Sequence, residues 1–229
     1  MKDSRGLGKE TVCMRRYRHI IWDWNGTLLN DAWLCLEVMN QTLRRRELPV
    51  LSEDRYQEIF GFPLIDYYRL AGFTFKSETF EEAGAEFIAA YDGRCTECSL
   101  QDGVVDLLTE LCDSGCRQYV LSAYHHQGLE RMLEHFGIHH YFETIQGLDD
   151  IYAQGKGQQG QRLAECLGGE APNALLVGDT LHDAEVAAAM GVDCVLIPGG
   201  NQTLEKLSTA GARMFDSLKD FQAEWQRSR

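Results

Sequence analysis

The feature that most constrains this chain is a series of short, near-continuous apolar runs, each closed by small or polar residues. Ile20-Ile21-Trp22 runs into Asp23-Trp24-Asn25-Gly26-Thr27, and Tyr119-Val120-Leu121 into Ser122. Ala174-Leu175-Leu176-Val177 runs into Gly178-Asp179, and Cys194-Val195-Leu196-Ile197 into Pro198-Gly199-Gly200. Met214-Phe215 is a shorter candidate of the same kind. Strands this apolar are buried on both faces. Between them, Gly103 to Leu111, Leu129 to Phe136, Gln158 to Leu167 and Asp183 to Met190 carry helical spacing. Alternating buried strands and amphipathic helices predict an α/β fold, a Rossmann-like doubly wound parallel sheet with helices on both faces.

One stretch breaks that rhythm. From 31 to 99 there are helical patterns, Ala32 to Leu43 and Phe80 to Tyr91, and no buried strand. We therefore expect a small α-helical domain at 31–99, inserted after the first strand into a core formed by 19–30 and 100–229. Residues 1–18 are polar, lack the apolar centre of a signal peptide, and read as a flexible leader.

Composition excludes some functions. Asp plus Glu number 35 against 22 Lys plus Arg, a formal net charge of −13. A chain this acidic is a poor generic partner for nucleic acid or an anionic membrane, though a local basic pocket can still hold a small anion. No stretch approaches the roughly 20 apolar residues of a membrane helix. Eight cysteines without a signal peptide suggest reduced thiols and a cytoplasmic location. Cys95, Cys98, Cys112 and Cys116 have the spacing of a four-thiolate zinc site. The apolar stripe Val104, Leu107, Leu108, Leu111 favours a packed helix there instead. Nothing in the chain points to an oligomeric state.

In open parallel sheets, ligands bind beyond the carboxyl ends of the strands. Asp23, Asp179 and, four residues on, Asp183 fall at or just past such ends. Their convergence would make a hard-oxygen site of Mg²⁺ type. The Ser122 hydroxyl can donate to a phosphate oxygen there, and Lys156, in a polar Gly-rich segment, can balance its charge. Each residue also has a plainer role: Ser122 as a turn residue, Lys156 as a loop lysine, Asp183 as a helix cap. Asp23 has the weakest alternative, since a carboxylate directly after a buried strand is costly unless paired or metal-bound.

Taken in order, these segments resemble the haloacid dehalogenase-like hydrolase superfamily, from about residue 19 to 225. Asp23-Trp24-Asn25-Gly26-Thr27 is similar to its Asp-x-Asp-Gly-Thr motif. Val120-Leu121-Ser122, Lys156 and Gly178-Asp179-Thr180-Leu181-His182-Asp183 match the later three. The helical insert looks like that family's small cap domain, and Gly61-Phe62-Pro63-Leu64 is similar to a segment of phosphoglycolate phosphatase-like members.

The resemblance implies a Mg²⁺-dependent phosphatase acting on a small phosphorylated metabolite, phosphoglycolate-like, through an aspartyl-phosphate on Asp23. It further implies that Asp23, the residue 25 carbonyl, Asp179 and Asp183 hold the metal. Gly26, Thr27, Ser122, Ala123 and Lys156 would hold phosphate, with Tyr67, Tyr68 and Arg69 as candidate cap contacts. Retention of both Asp179 and Asp183 favours the metal-dependent branch.

Asn25 departs from the family pattern, which has a general acid and base Asp at that position. Such proton transfers contribute on the order of 10²–10⁴ in rate. Three readings follow. The enzyme turns over slowly or uses good leaving groups; or His125, His126 or His182 carries the proton; or the protein binds a phosphorylated ligand in a regulatory role without turnover.

Overall fold

The structure, a computed structural model, describes residues 14–149 and 155–228. β1 (His19–Trp22) is followed by β2 (Leu29–Asn30), then four helices: α1 (Ala32–Arg45), α2 (Glu53–Ile59), α3 (Leu64–Leu70) and α4 (Phe80–Asp92). β3 (Ser99–Leu100), α5 (Val104–Asp113), β4 (Arg117–His125), α6 (His126–His135) and β5 (Thr144–Leu148) come next. The chain continues through α7 (Gly157–Leu167), β6 (Ala174–Gly178), α8 (Leu181–Met190), β7 (Asp193–Leu196), α9 (Leu204–Ser208), β8 (Arg213–Met214) and α10 (Leu218–Arg227).

Six strands form one parallel sheet in the order β5-β4-β1-β6-β7-β8. β1 lies inside, and the chain winds outward from it first through β4 and β5 and then through β6 to β8. This is the doubly wound arrangement expected from the apolar runs. Alternation along each strand supplies both faces. Ile20 and Trp22 of β1, with Leu175 and Val177 of β6, join a core closed by Leu107, Leu111, Phe221 and Trp225 of α5 and α10. Ile21, Tyr119, Leu121 and Leu176 join the opposite core with Leu163 and Val186 of α7 and α8.

The four helices between β2 and β3 have a core of their own, which includes Met39, Tyr56, Tyr67, Tyr68 and Phe73. β2 and β3 pair antiparallel, Leu29 with Leu100 and Asn30 with Ser99, so the two connections to the insert run side by side.

The structure departs from expectation in three places. β4 continues past Ser122 to His125, with its register against β5 shifting after Leu121. β5 itself has no apolar run to announce it, because Thr144-Ile145-Gln146 is only half buried. At the start of the chain, 14–18 is packed rather than loose. Met14 and Tyr17 are buried in the main core, and the Tyr17 hydroxyl donates to Asp193 at 2.7 Å. The rest of the expected leader, 1–13, lies outside the described residues. Among the described residues no helix is long and apolar enough to cross a membrane.

Candidate active site

Three carboxylates meet at the carboxyl edge of the sheet. Asp23 follows β1, Asp179 follows β6, and Asp183 lies in the first turn of α8. One oxygen from each lies within 4.8 Å of the others, and all three residues are buried. Among the described residues this is the cluster with metal-ligand spacing, and the four cysteines do not assemble one. Cys95 and Cys98 are buried whereas Cys112 is exposed on α5.

Lys156, which precedes α7, enters the cluster from the side. Its Nζ donates to Asp23 Oδ1 at 2.5 Å and to the Leu121 carbonyl at 2.9 Å. It also lies 2.6 Å from Asp183 Oδ1. Burial works against its charge, but Asp183 and Asp23 more than compensate and hold the ammonium well above its usual range. Gly155 is part of this placement. It has φ +104°, and a Cβ there would sit 2.6 Å from the His182 ring. The Lys156 backbone is held here as well, its N–H donating to His182 Nε2 at 3.2 Å.

With one ammonium among them, the three carboxylates resist being ionised together. Burial, partly offset by Lys156, pushes Asp23 up to about 7. Burial and the Asp23 charge raise Asp179 well above the carboxylate range. Asp183 is also buried, yet Lys156 and Thr180 hold it below its ordinary value. Three buried carboxylates against one ammonium, all with oxygen donors, fit a divalent cation of Mg²⁺ type.

The carboxylates are held in place by further contacts. Thr180 donates backbone N–H (2.9 Å) and hydroxyl (2.6 Å) to Asp183 Oδ2, a capping box that leaves Oδ1 facing Lys156. Asn201 donates its backbone N–H (2.6 Å) and Nδ2 (3.2 Å) to Asp179 Oδ2. Tyr56, from α2 of the insert, donates to Asn201 Oδ1 at 2.6 Å. The insert is therefore linked to the carboxylate cluster through one asparagine. Nothing in the sequence pattern marked Asn201 or Tyr56, beyond the Gly199-Gly200 turn before Asn201.

The expected phosphate ligands are mostly occupied by protein. The Thr27 hydroxyl donates to Asp23 at 3.1 Å. Gly26 has φ +79°, and its N–H is shared between the Leu29 carbonyl (3.0 Å) and Asp31 (2.8 Å). The Ser122 hydroxyl accepts from Tyr124 N–H at 3.0 Å and reaches Asn25 Oδ1 at 3.4 Å. Ala123 lines the cavity above the cluster, as do Tyr67 and Tyr68, whereas Arg69 is exposed and does not line it.

Asn25 itself is fixed by a residue that sequence reasoning missed. Its Nδ2 donates to Asp31 Oδ2 at 2.7 Å and to the Tyr91 hydroxyl at 2.9 Å. Tyr91 in turn donates to Asp31 at 2.6 Å. Asp31 is fully buried; burial raises its pKa while Tyr91, Asn25 and Gly26 lower it. The three candidate histidines are committed elsewhere. His125 Nδ1 accepts from Gly128 N–H (3.1 Å), and its Nε2 faces Asp92 (3.0 Å). His182 Nε2 accepts from Lys156 N–H (3.2 Å), and its ring stacks on Phe62. His126 is half exposed and faces Glu130.

This strand-end arrangement can be set beside known proteins. A family profile for haloacid dehalogenase-like hydrolases matches residues 20–197. The chain belongs to that family. Within it, the chain is 32% identical over 188 residues to the tyrosine-protein kinase PtkA of Mycobacterium tuberculosis, covering 79% of this chain and 62% of that protein. It thus spans about three-fifths of that curated relative's length. The solved structure of PtkA superposes with a TM-score of 0.74 at 28% identity, over 91% of this chain and 98% of that one. A phosphoglycolate phosphatase of Rhodobacter capsulatus is 24% identical over 185 residues, 79% of this chain and 84% of that protein. CbbY of Rhodobacter sphaeroides, solved in complex with phosphate, shares the fold with a TM-score of 0.71 at 20% identity, over 90% and 96% of the two chains.

Proposed function

We propose that this haloacid dehalogenase-like protein is a Mg²⁺-dependent phosphomonoester phosphatase that works through Asp23. The observation that carries the reading is the buried meeting of Asp23, Asp179 and Asp183 with Lys156 at the sheet edge. Asp23 attacks phosphorus and displaces the alcohol, and water then releases phosphate from the aspartyl-phosphate. A carboxylate is a weak nucleophile, so positioning and charge neutralisation must do most of the catalysis. Lys156 holds Asp23 and supplies positive charge beside it. Asp23, Asp179, Asp183 and the residue 25 carbonyl are the groups that would hold the metal, which when bound offsets phosphate charge. Asn201 and Thr180 fix the Asp179 and Asp183 side chains in place. The insert's aromatic side chains line the cavity above the site.

The seven cysteines among the described residues are free thiols, which suits a reducing compartment such as the cytoplasm. The name of the mycobacterial relative describes transfer to tyrosine; for this chain the acceptor we propose is water. A second reading, ligand binding without turnover, is favoured by Asn25, whose amide can neither give nor take the proton. Mg²⁺-dependent phosphate release from acetyl phosphate, by wild type and Asp23→Asn, separates them. Turnover lost in Asp23→Asn supports the phosphatase. Phosphate binding without product in wild type supports the binder.

A further inference from the structure

The cavity above the carboxylates is chemically divided. Its floor holds Asp23, Asn25, Lys156, Asp179 and Asp183. Its upper wall is made by the insert and is aromatic: Tyr56, Phe60, Phe62, Tyr67, Phe87 and Tyr91 all line it. Lys156 is the one Lys or Arg among the described residues that line it, and its Nζ is already taken by Asp23, Asp183 and the Leu121 carbonyl. A substrate with a second anionic group, such as the carboxylate of phosphoglycolate, would bury that charge against rings with no cation to meet it.

Asn25 restricts the substrate from the other side. Both hydrogens of its amide are directed at Asp31 and Tyr91, and the two candidate histidines that line the cavity, His125 and His182, have both ring nitrogens engaged. The leaving oxygen must therefore depart without a proton from the protein. An aliphatic alkoxide is about as basic as hydroxide, whose parent water has a pKa near 15.7. Phenolates are far weaker bases, with pKa about 10. The missing acid matters much less for a phenol.

We propose that the ester taken by this site is an aryl phosphate, a small monoester whose single phenolic ring sits among the aromatic side chains of the insert. This rests on the reading of Asp23 as phosphoryl acceptor. The cavity, its polar floor included, is about 140 Å³, room for a small monoester. The Tyr67 hydroxyl, buried in this wall without a hydrogen-bond partner, is left for a polar substituent on the ring. The chemistry balances. The Asp23 carboxylate forms a bond to phosphorus as the phosphorus–aryl oxygen bond breaks, and the phenolate leaves with the electron pair and takes a proton from solvent. Water then attacks the same phosphorus, the bond to Asp23 breaks, and the water's proton passes to solvent. With no base at position 25, this second step is the slow one.

The test pairs binding with rapid-quench kinetics on the intact protein in Mg²⁺. Phenylphosphonate and phosphonoacetate are titrated by calorimetry; 4-nitrophenyl phosphate, 2-phosphoglycolate and acetyl phosphate are followed for product and phosphoenzyme. We expect phenylphosphonate to bind at least tenfold more tightly than phosphonoacetate. We also expect a burst of one nitrophenol per protein, and at least tenfold slower phosphoenzyme formation from 2-phosphoglycolate. Ile88→Arg, in the same wall, should narrow or reverse the binding preference while the variant stays folded by circular dichroism. Equal binding of the two phosphonates, or a preference for phosphonoacetate, overturns the proposal. So does Asp23-dependent phosphorylation by acetyl phosphate with none from the aryl ester, which leaves the phosphatase reading standing. Phenylphosphonate preference with no phosphoenzyme from any ester supports the ligand class and overturns the catalytic reading.

Discussion

Restoring the family carboxylate at position 25 should damage this protein unless Asp31 is changed as well. In Asn25→Asp the donor to Asp31 becomes a second carboxyl, with its oxygen about 2.7 Å from Asp31 Oδ2. Two ionised carboxylates at that distance repel by about 6 kcal/mol at an effective dielectric of about 20. The pair avoids this by retaining one shared proton, so the new group is not a freely available base. What remains is the loss of the hydrogen bond to the Tyr91 hydroxyl, about 0.5–1.5 kcal/mol. For a chain of this size that lowers Tm by roughly 1–6 °C. The double variant Asn25→Asp with Asp31→Asn keeps one amide and one carboxylate in contact and returns most of the stability. It should also raise turnover of an alkyl phosphate by on the order of 10²–10⁴. Thermal unfolding and phosphate release from the four proteins of the cycle give both numbers. The reasoning is refuted if Asn25→Asp alone melts with wild type and gains full activity without Asp31→Asn.

The other expectations concern the carboxylate cluster. Lys156→Met leaves three buried carboxylates without their cation and should cost about 3–5 kcal/mol, part of it recovered on adding Mg²⁺, as read by denaturant unfolding. Mg²⁺ affinity should rise between about pH 6 and 8. Burial pushes Asp23 up to about 7, so below that value protons hold a ligand position and above it they do not; calorimetry in buffers of different ionisation heat should show protons released on binding. Gly200→Ala brings a methyl into contact with the Asp179 carboxylate, which Asn201 prevents from moving freely. A loss of about 10–100-fold in Mg²⁺ affinity follows from displacing one ligand, with the insert's own packing unchanged by near-ultraviolet dichroism.

What could be read from the sequence was what local chemistry writes into consecutive residues. β1 and β6 are continuous apolar runs because both faces are buried, so their ends, and with them Asp23 and Asp179, are legible in the sequence. β5 was missed because it is half buried at the sheet edge, and Thr144 and Gln146 look like a loop. Met14 and Tyr17 sit in a polar stretch, and only their contacts with the core show that they belong to it. The Asp31 contact with Asn25 spans only six residues, yet its meaning depends on Tyr91 arriving from α4. The aromatic wall draws on three helices and a loop, each of which reads on its own as ordinary core.

The account turns on Asp23 as the residue that carries the phosphoryl group. The most direct measurement is mass spectrometry of protein quenched in acid within the burst of 4-nitrophenyl phosphate turnover. A phosphoryl group on the peptide containing Asp23, removed by hydroxylamine and missing in Asp23→Asn, is the result this structure predicts. A phosphoryl group on any other residue, or release of nitrophenol undiminished in Asp23→Asn, would contradict it.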